Sequence, residues 1–597
     1  MTNLLNTLNF PSDLKQLTQV ELISLCKEIR IRLVDITNTV GGHLASNLGV
    51  VEISVGLHTI FNSPEDQFLW DTSHQTYVHK MLTGRLKDMY TIKQYKGLSG
   101  FAKITESSHD IFGAGHASTS LSAAIGLAQA RNAQNKKNAV VCVLGDGGLS
   151  GGMCYEALNN IEQLNGNFIC ILNDNDMSIS PPVGAMAKYI TSIRTLQIYD
   201  DVKDIFTKVF NKIPRIGVPL KRRIEKAVDG TVTTLLDVKA GVLFEEFGFK
   251  YLGPIDGHNL TEVMATLKYA KSYNGPILLH MITTKGKGLK NAELNPIKYH
   301  GVSAKKTKPN PDTHVKKIET YTQCFGSEII KIANKNTLVH VITPAMREGS
   351  GLVEYEKQFP NRYYDVGIAE EHAVTFSAGL SKGGVIPVLA IYSTFLQRGF
   401  DQVIHDVCLQ KLPMVFAIDR AGLVGADGPT HHGVFDLSYL LMIPNMVVCA
   451  PKDGDELKQL LEWACQSNKI VSIRYPRGNV PLEDGQKSTP IHFGDSQLMT
   501  EEFNEIDCLI LSIGNFVWPS TELALTLKKD NNINCTVVNC RFIKPLDKKT
   551  LEPLIKKSKL IAVIEDGAQI GGAFHYILNQ FSHINTPLNR WLSFGIP

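Results

Sequence analysis

The sequence predicts an α/β protein built of three consecutive α/β blocks, each with a mostly parallel sheet. Three observations predict it. Short continuous apolar runs of strand length recur along the chain, as at residues 139–144 and 168–172, and such runs suit strands buried on both faces. Segments with apolar residues at helical spacing separate them, the alternation that builds parallel sheets. The 597 residues suffice for about three to four domains, each large enough for a full core.

Bulk composition narrows the class. Hydrophobic residues make up 43% and charged residues 20%, the balance of a globular protein rather than a disordered or membrane-embedded one. Net charge is +3, and the most basic run, Lys221-Arg222-Arg223, is short, so neither nucleic acid nor a membrane is indicated as a partner. Eleven cysteines lack any Cys-x-x-Cys spacing and several lie in apolar runs, so they read as reduced core residues. The N-terminus has no basic-then-apolar signal segment, and no apolar run approaches membrane length. The expected location is the cytoplasm, or a plastid-like organelle interior if a transit peptide is missing.

In the first block, Ser12-Asp13-Leu14 opens a helical pattern that runs towards residue 34. Gly41-Gly42 then marks a sharp turn that presents His43, and Trp70-Asp71-Thr72-Ser73-His74-Gln75 is the next landmark. Gly113-Ala114-Gly115-His116-Ala117-Ser118 leads into an Ala-rich helix over residues 121–131; such a helix start suits a phosphate or a polar ring, and a plain cap explains Ser118 equally well. Strands at 139–144 and 168–172 flank a helix-like stretch at 152–164, which makes a βαβ unit. Ser178-Ile179-Ser180-Pro181-Pro182 is a break, and the mixed segment to about residue 238 contains no assignable motif. The pattern resumes at 241–247, followed by a turn-rich loop ending in Asp256-Gly257-His258 and a strand at 276–280 that leads to Thr284-Lys285-Gly286-Lys287-Gly288. Residues 301–317, rich in Lys, Pro and Thr, read as a linker.

The second block has strands at 338–342, 385–391, 414–418 and 446–449, with Ile368-Ala369-Glu370-Glu371 entering a helix. The third block, from about residue 495, has strands at 509–512, 535–538 and 561–564, which implies a small parallel sheet.

The chemistry concentrates at the carboxyl ends of the two βαβ strands, where open α/β sheets bind ligands. Gly145-Asp146-Gly147-Gly148 follows one strand, and Asn173-Asp174-Asn175 ends the other, Asn175 lying 29 residues (175 − 146) after Asp146. Mg²⁺ takes few protein oxygens and completes its octahedron with phosphate and water. Asp146 offers a carboxylate, Asn175 an amide oxygen and Met177 a backbone carbonyl, while the glycines let main-chain N–H groups approach phosphates. Paired in this way, the two motifs resemble the cofactor motif of thiamine-diphosphate enzymes. Such an enzyme also needs a carboxylic acid against the aminopyrimidine ring, and Glu370 is the candidate, in a different block from Asp146.

Further motifs sharpen the resemblance. Gly41-Gly42-His43-Leu44-Ala45-Ser46-Asn47, Ile342-Thr343-Pro344, Tyr392-Ser393-Thr394-Phe395-Leu396-Gln397-Arg398, Asp419-Arg420-Ala421-Gly422, Gly425-Ala426-Asp427-Gly428, Thr430-His431 and Arg474-Tyr475-Pro476-Arg477 extend it over nearly the whole chain. Together they resemble the 1-deoxy-D-xylulose-5-phosphate synthases, a transketolase-like thiamine-diphosphate family. The resemblance implies a domain at 1–310 for diphosphate and Mg²⁺, one at 318–485 for the pyrimidine, and a C-terminal transketolase-like domain at 495–597. It implies thiamine diphosphate and Mg²⁺ as cofactors and a homodimer in which one subunit supplies both halves of a site. The implied reaction joins pyruvate to D-glyceraldehyde 3-phosphate with loss of CO₂, feeding isoprenoid, thiamine and pyridoxal synthesis.

By the same resemblance, the cofactor meets His74, Gly115, His116, Ala117, Gly147, Gly148, Asn175, Lys285 and Glu370, and the metal meets Asp146, Asn175 and Met177. Arg420 and Arg477 are forked donors suited to the aldehyde's phosphate, and Arg398 with Tyr392 to the pyruvate carboxylate. His43, His74, His300, Asp427 and His431 supply protons and hydrogen bonds, with Glu370 as the acid. His79, His258 and His432 read as structural. Ser73 stands where that family has glycine, Gly148 where it has alanine, and Leu289 where it commonly has a tyrosine beside the cofactor. The chain ends at Pro597, where members of that family run on, which bears on packing of the third domain. The rival readings are a transketolase, a pyruvate dehydrogenase-type component, and a non-catalytic cofactor-binding relative.

Overall fold

Apolar residues on both faces of five strands make the sheet of the first of two units, residues 1–309. These are β1 (Gln67–Trp70), β2 (Val140–Gly145), β3 (Phe168–Asp174), β4 (Lys250–Asp256) and β5 (Pro276–Ile282). All are parallel, in the order β1-β2-β3-β5-β4. Alternate residues feed two cores: Val140, Cys142 and Leu144 pack with the helix Ser120–Ala133, whereas Val141, Val143 and Ile169 pack with Ile53 and Leu57. Covering both faces is why the strands read as unbroken apolar runs. Helices α2 (Val51–Ile60), α3 (Ser120–Ala133) and α4 (Gly152–Leu158) do the covering, and α1 (Gln19–Val40) packs with α2 in a separate core. A capping box of Thr18 and Glu21 starts α1. The helix expected over 152–164 stops at Leu158, because the following Asn159-Asn160 favours turn backbone.

The computed structural model describes residues 3–175, 177, 183–195, 241–304, 318–481, 489–584 and 586–597. Ser178 to Pro182, residues 196–240 with Lys221-Arg222-Arg223, and most of the 301–317 linker lie outside the described residues, while Gly184–Thr195 of the mixed segment form a helix.

The second unit, residues 310–597, holds two further sheets. The larger contains β6 (Val339–Thr343), β7 (Tyr363–Asp365), β8 (Ile386–Tyr392), β9 (Met414–Ala421), β10 (Met446–Cys449) and β11 (Ile470–Pro476). The smaller contains β12 (Gln497–Leu498), β13 (Ile506–Ser512), β14 (Cys535–Asn539), β16 (Ser558–Ala568) and β17 (Trp591–Ile596) in the order β12-β14-β13-β16-β17. Between β14 and β16, β15 (Phe542–Lys544) leaves the smaller sheet and pairs antiparallel with β10 as the edge of the larger one. One apolar core contains Ile391 and Ile418 from the larger sheet and Leu511 and Val563 from the smaller. Arg474 of β11 is buried between Asp436, at the start of α6 (Asp436–Met442), and Asp566 of β16. Among the described residues, no helix is long and apolar enough to cross a membrane.

Candidate active site

Register pairs Gly145 with Asn173 across β2 and β3, so the residues that follow the two strands emerge side by side. Asp146 is buried, and the Met177 N–H donates to its Oδ2 at 3.2 Å. The Asn175 Oδ1 is buried without a hydrogen-bond partner among the described residues. Burial, then the neighbouring Asp174, raises the Asp146 carboxyl to about 7, while Lys285 and the N–H groups of Gly147 and Met177 pull it down. Burial lowers Lys285 to about 8 against the pull of Asp146. A carboxylate that ionises reluctantly by itself and an amide oxygen without a protein donor form an oxygen set that fits a hard divalent cation.

The loop that carries Gly115, His116 and Ala117 is tied to the same place. Asp71, which follows β1, accepts from Ser118 N at 3.0 Å, from Ser120 N at 3.3 Å and from Ser120 Oγ at 2.8 Å. Ser118 Oγ in turn donates to Gly148 O at 2.6 Å. A Cβ on Gly148 would run into the Asp71 carboxylate, so an alanine there would require Asp71 to shift. Asp71 escaped the sequence reading; its only signal was an acid two residues before Ser73 in a loop that ends a strand.

Three expected histidines converge. The ring centroids of His43, His74 and His300 lie 5.2–5.6 Å apart. An antiparallel pair, Gly42↔Val302 and His43↔Gly301, brings the distant His300 to the turn. Gly41 and Gly42 have φ of +81° and +131°, and a Cβ on Gly42 would lie 2.7 Å from the Tyr77 hydroxyl. Asn47 Nδ2 donates to the carbonyls of His43 and His74 at 2.8 and 2.9 Å, locking both backbones. Burial, then Lys285, lowers His74 to about 3, and burial with the same lysine lowers His300, so both are neutral imidazoles. Ser73, just before His74, adopts φ 59°, a left-handed backbone that glycine prefers, and its Oγ accepts from Ala102 N at 2.9 Å. His79, His258 and His432 are each engaged by protein groups: Asp110, Glu52 with Thr284, and the Val424 N–H.

In the second unit Glu370 opens α5 (Glu370–Lys382) and is buried. Burial raises its carboxyl, and Arg398 opposes the rise with NH1 3.3 Å from Oε2. Arg398 is thus directed at Glu370. The Arg420 guanidinium lies 4.1 Å over the Tyr392 ring, and its NH1 is shared among Asp419 Oδ2 (2.6 Å), Gly349 O (2.7 Å) and Thr322 Oγ1 (3.1 Å). The Tyr392 hydroxyl occupies the space a Cβ on Gly349 would take. Arg477 and Asp427 form an ion pair. His431 sits edge-on to Phe395, which stacks on Tyr392, and its Nδ1 lies 2.9 Å from Thr430 Oγ1. Leu289 packs in the α1 core.

Comparison with known proteins places this architecture. A family profile described as 1-deoxy-D-xylulose-5-phosphate synthase matches residues 5–283; profiles for the transketolase pyrimidine-binding and C-terminal domains match 318–483 and 502–597. A protein named 1-deoxy-D-xylulose-5-phosphate synthase from Halothermothrix orenii is 47% identical over 575 residues, 96% of this chain and 89% of its own. Similarly named proteins from Alkaliphilus oremlandii and Geobacter sulfurreducens are 46% and 44% identical, over 96% and 100% of this chain and 91% and 93% of theirs.

Proposed function

The chain belongs to the 1-deoxy-D-xylulose-5-phosphate synthase family, and from that premise we propose which of its residues perform which part of the reaction. The reaction condenses pyruvate with D-glyceraldehyde 3-phosphate, releases CO₂ and yields 1-deoxy-D-xylulose 5-phosphate for isoprenoid synthesis. Thiamine diphosphate, when bound, supplies the carbanion chemistry that lets a carboxylate leave from a carbon next to a carbonyl.

Asp146, Asn175 and the Met177 carbonyl would hold Mg²⁺; the observation that carries this is the buried Oδ1 of Asn175, without a partner among the described residues, beside the contact of the Met177 N–H on Asp146. Gly147, Gly148, Gly115, His116, Ala117 and Lys285 would hold the diphosphate, whose charge would relieve the cost of burying Lys285. Glu370, whose burial favours the protonated form, hydrogen-bonds a pyrimidine nitrogen. Neutral His74 and His300 with His43 in the first unit, and His431 and Asp427 in the second, would each offer hydrogen bonds to the departing carboxylate or to the aldehyde oxygen as it becomes an alcohol. Arg398 and Tyr392 serve the pyruvate carboxylate, and Arg420 and Arg477 the aldehyde's phosphate; each arginine exchanges an internal acceptor for a substrate oxygen.

The assembly is a homodimer: Leu423, Phe435, Met442 and Ile570 of the second unit are each more than half exposed, apolar side chains that a second copy would cover. Its compartment is the cytoplasm, in keeping with eleven cysteines that form no disulfide among the described residues. The test is CO₂ release from pyruvate with thiamine diphosphate and Mg²⁺, with and without D-glyceraldehyde 3-phosphate. Stimulation by the aldehyde, lost in Glu370→Ala and Asp146→Ala, is the expected result. Turnover that survives both substitutions would overturn the residue assignment.

A further inference from the structure

Glu52 touches none of the residues assigned to cofactor or substrate, yet it is a buried acid with two cationic or aromatic partners from distant parts of the first unit. Arg30 of α1 lies bidentate on it, NH1 and NH2 each 2.6 Å from a carboxylate oxygen. His258, in the turn after β4, places Nδ1 3.2 Å from Glu52 Oε2. Both partners continue to one loop, the Thr284–Leu289 stretch after β5. The backbone N–H of Thr284 donates to His258 Nε2 at 2.7 Å, and Arg30 Nε donates to Lys287 O at 3.1 Å. Between these anchors the Gly286 N–H donates to Ala45 O at 2.8 Å. Lys285 therefore sits in a backbone span pinned at residues 284, 286 and 287, with its side chain buried against the charge of Asp146.

We propose that Arg30, Glu52 and His258 are positioning residues that hold the Lys285 loop in its diphosphate-binding form. The inference rests on the reading that Lys285 serves the cofactor. The chemistry is consistent at each contact. Since Nε2 accepts from Thr284, the ring proton is on Nδ1, where Glu52 accepts it; the carboxylate fixes both tautomer and orientation. The same carboxylate fixes the plane of the Arg30 fork, and thereby the direction of Nε towards Lys287. One acid thus orients two clamps. Gly288 completes the arrangement: its φ is +87°, and a Cβ there would meet Arg30 Cδ at 2.9 Å.

Four variants test it: Glu52→Gln, His258→Ala, His258→Gln and Lys285→Met, each measured for the Kd of thiamine diphosphate with Mg²⁺ by titration calorimetry and for kcat at saturating cofactor. Outer residues that orient binding groups typically matter by 10- to 100-fold. Glu52→Gln and His258→Ala are expected to weaken Kd by about that factor while kcat at saturation changes by about twofold or less. His258→Gln is expected to recover most of the loss, since its amide can donate to Glu52 and accept from Thr284. A role confined to stability would lower thermal stability and kcat together, without rescue by glutamine, and would overturn the proposal. If Lys285→Met weakens Kd but the other variants do not, the brace is wrong and the Lys285 reading stands. If Lys285→Met leaves Kd unchanged, that reading fails and the inference falls with it.

Discussion

Around Asp146, in the first unit, Asn175 Oδ1 and His74 Nδ1 are buried without a partner among the described residues, and burial lowers Lys285 against the pull of Asp146. In the second unit the site arginines are already engaged, Arg398 with Glu370, Arg420 with Asp419, Thr322 and Gly349, and Arg477 with Asp427. An unmade buried hydrogen bond costs about 1–3 kcal/mol. The first arrangement therefore stores free energy that a ligand recovers on binding, which suits a resident cofactor. The second gives up internal contacts as it makes new ones, although the buried Arg420 Nε has no partner among the described residues, so it yields more modest affinity and selects for anions that match the replaced acceptors. Holding a group permanently and handling a substrate briefly call for these two opposite arrangements of protein groups.

The comparison can be broken in several ways. The largest effect is expected at Glu370, the buried acid of the second unit. Glu370→Gln should lower kcat by about 10²–10⁴-fold, with the KM for pyruvate little changed; a change confined to KM would show that its role is binding. Next is the contrast between two arginines three positions apart. Arg474 is buried between Asp436 and Asp566, and Arg474→Met should lower unfolding free energy by about 3–5 kcal/mol in chemical denaturation. Arg477→Met, at a half-exposed pair, should shift stability by less than about 1 kcal/mol and act instead on the KM for D-glyceraldehyde 3-phosphate. Equal stability losses would erase the distinction.

Asp146→Asn should weaken cofactor and Mg²⁺ binding by at least about tenfold. Because the carboxylate is buried without a full counter-charge, the same change should leave the thermal stability of the cofactor-free protein unchanged or slightly higher. A clear loss of that stability would mean the first unit stores nothing there. The smallest effect is on pH dependence. His74 is held neutral down to about pH 3, whereas the unfolded chain takes up a proton near 6.5. Its contribution is thus fully present above about pH 6.5 and is lost as pH falls towards 3, at about 1.4 kcal/mol per unit. Between pH 6.5 and 5, urea unfolding of the wild type should lose about 2 kcal/mol more than His74→Gln. Parallel curves would contradict a neutral, buried His74.

What the sequence revealed followed from how local each feature is. Asp146 and Asn175 were legible because each directly follows an apolar strand, and β2 and β3 are neighbours in register. The convergence of His300 on His43 was available only through family resemblance, since a two-residue pairing across more than 250 positions leaves no periodic signal. Asp71 was missed because it acts by capping a loop far along the chain. Arg474 and Arg477 shared one motif; burial separates them, as β11 takes the first into the core while the second lies beyond the strand's end. The departure at Ser73 did point to something physical: a left-handed backbone position held by a serine whose hydroxyl has work in the fold. The exit of β15 to the larger sheet had no sequence signal, because three residues fit either sheet.

That crossing strand, together with Arg474, puts a clock into biosynthesis. Arg474 leaves the ribosome 92 residues ahead of its second carboxylate, Asp566, and β10 waits similarly for β15. At about 5–20 residues per second, the interval lasts roughly 5–20 s. During it the larger sheet has an open edge and a half-neutralised buried cation, so the nascent second unit is a foreseeable client for chaperones until its last strands emerge.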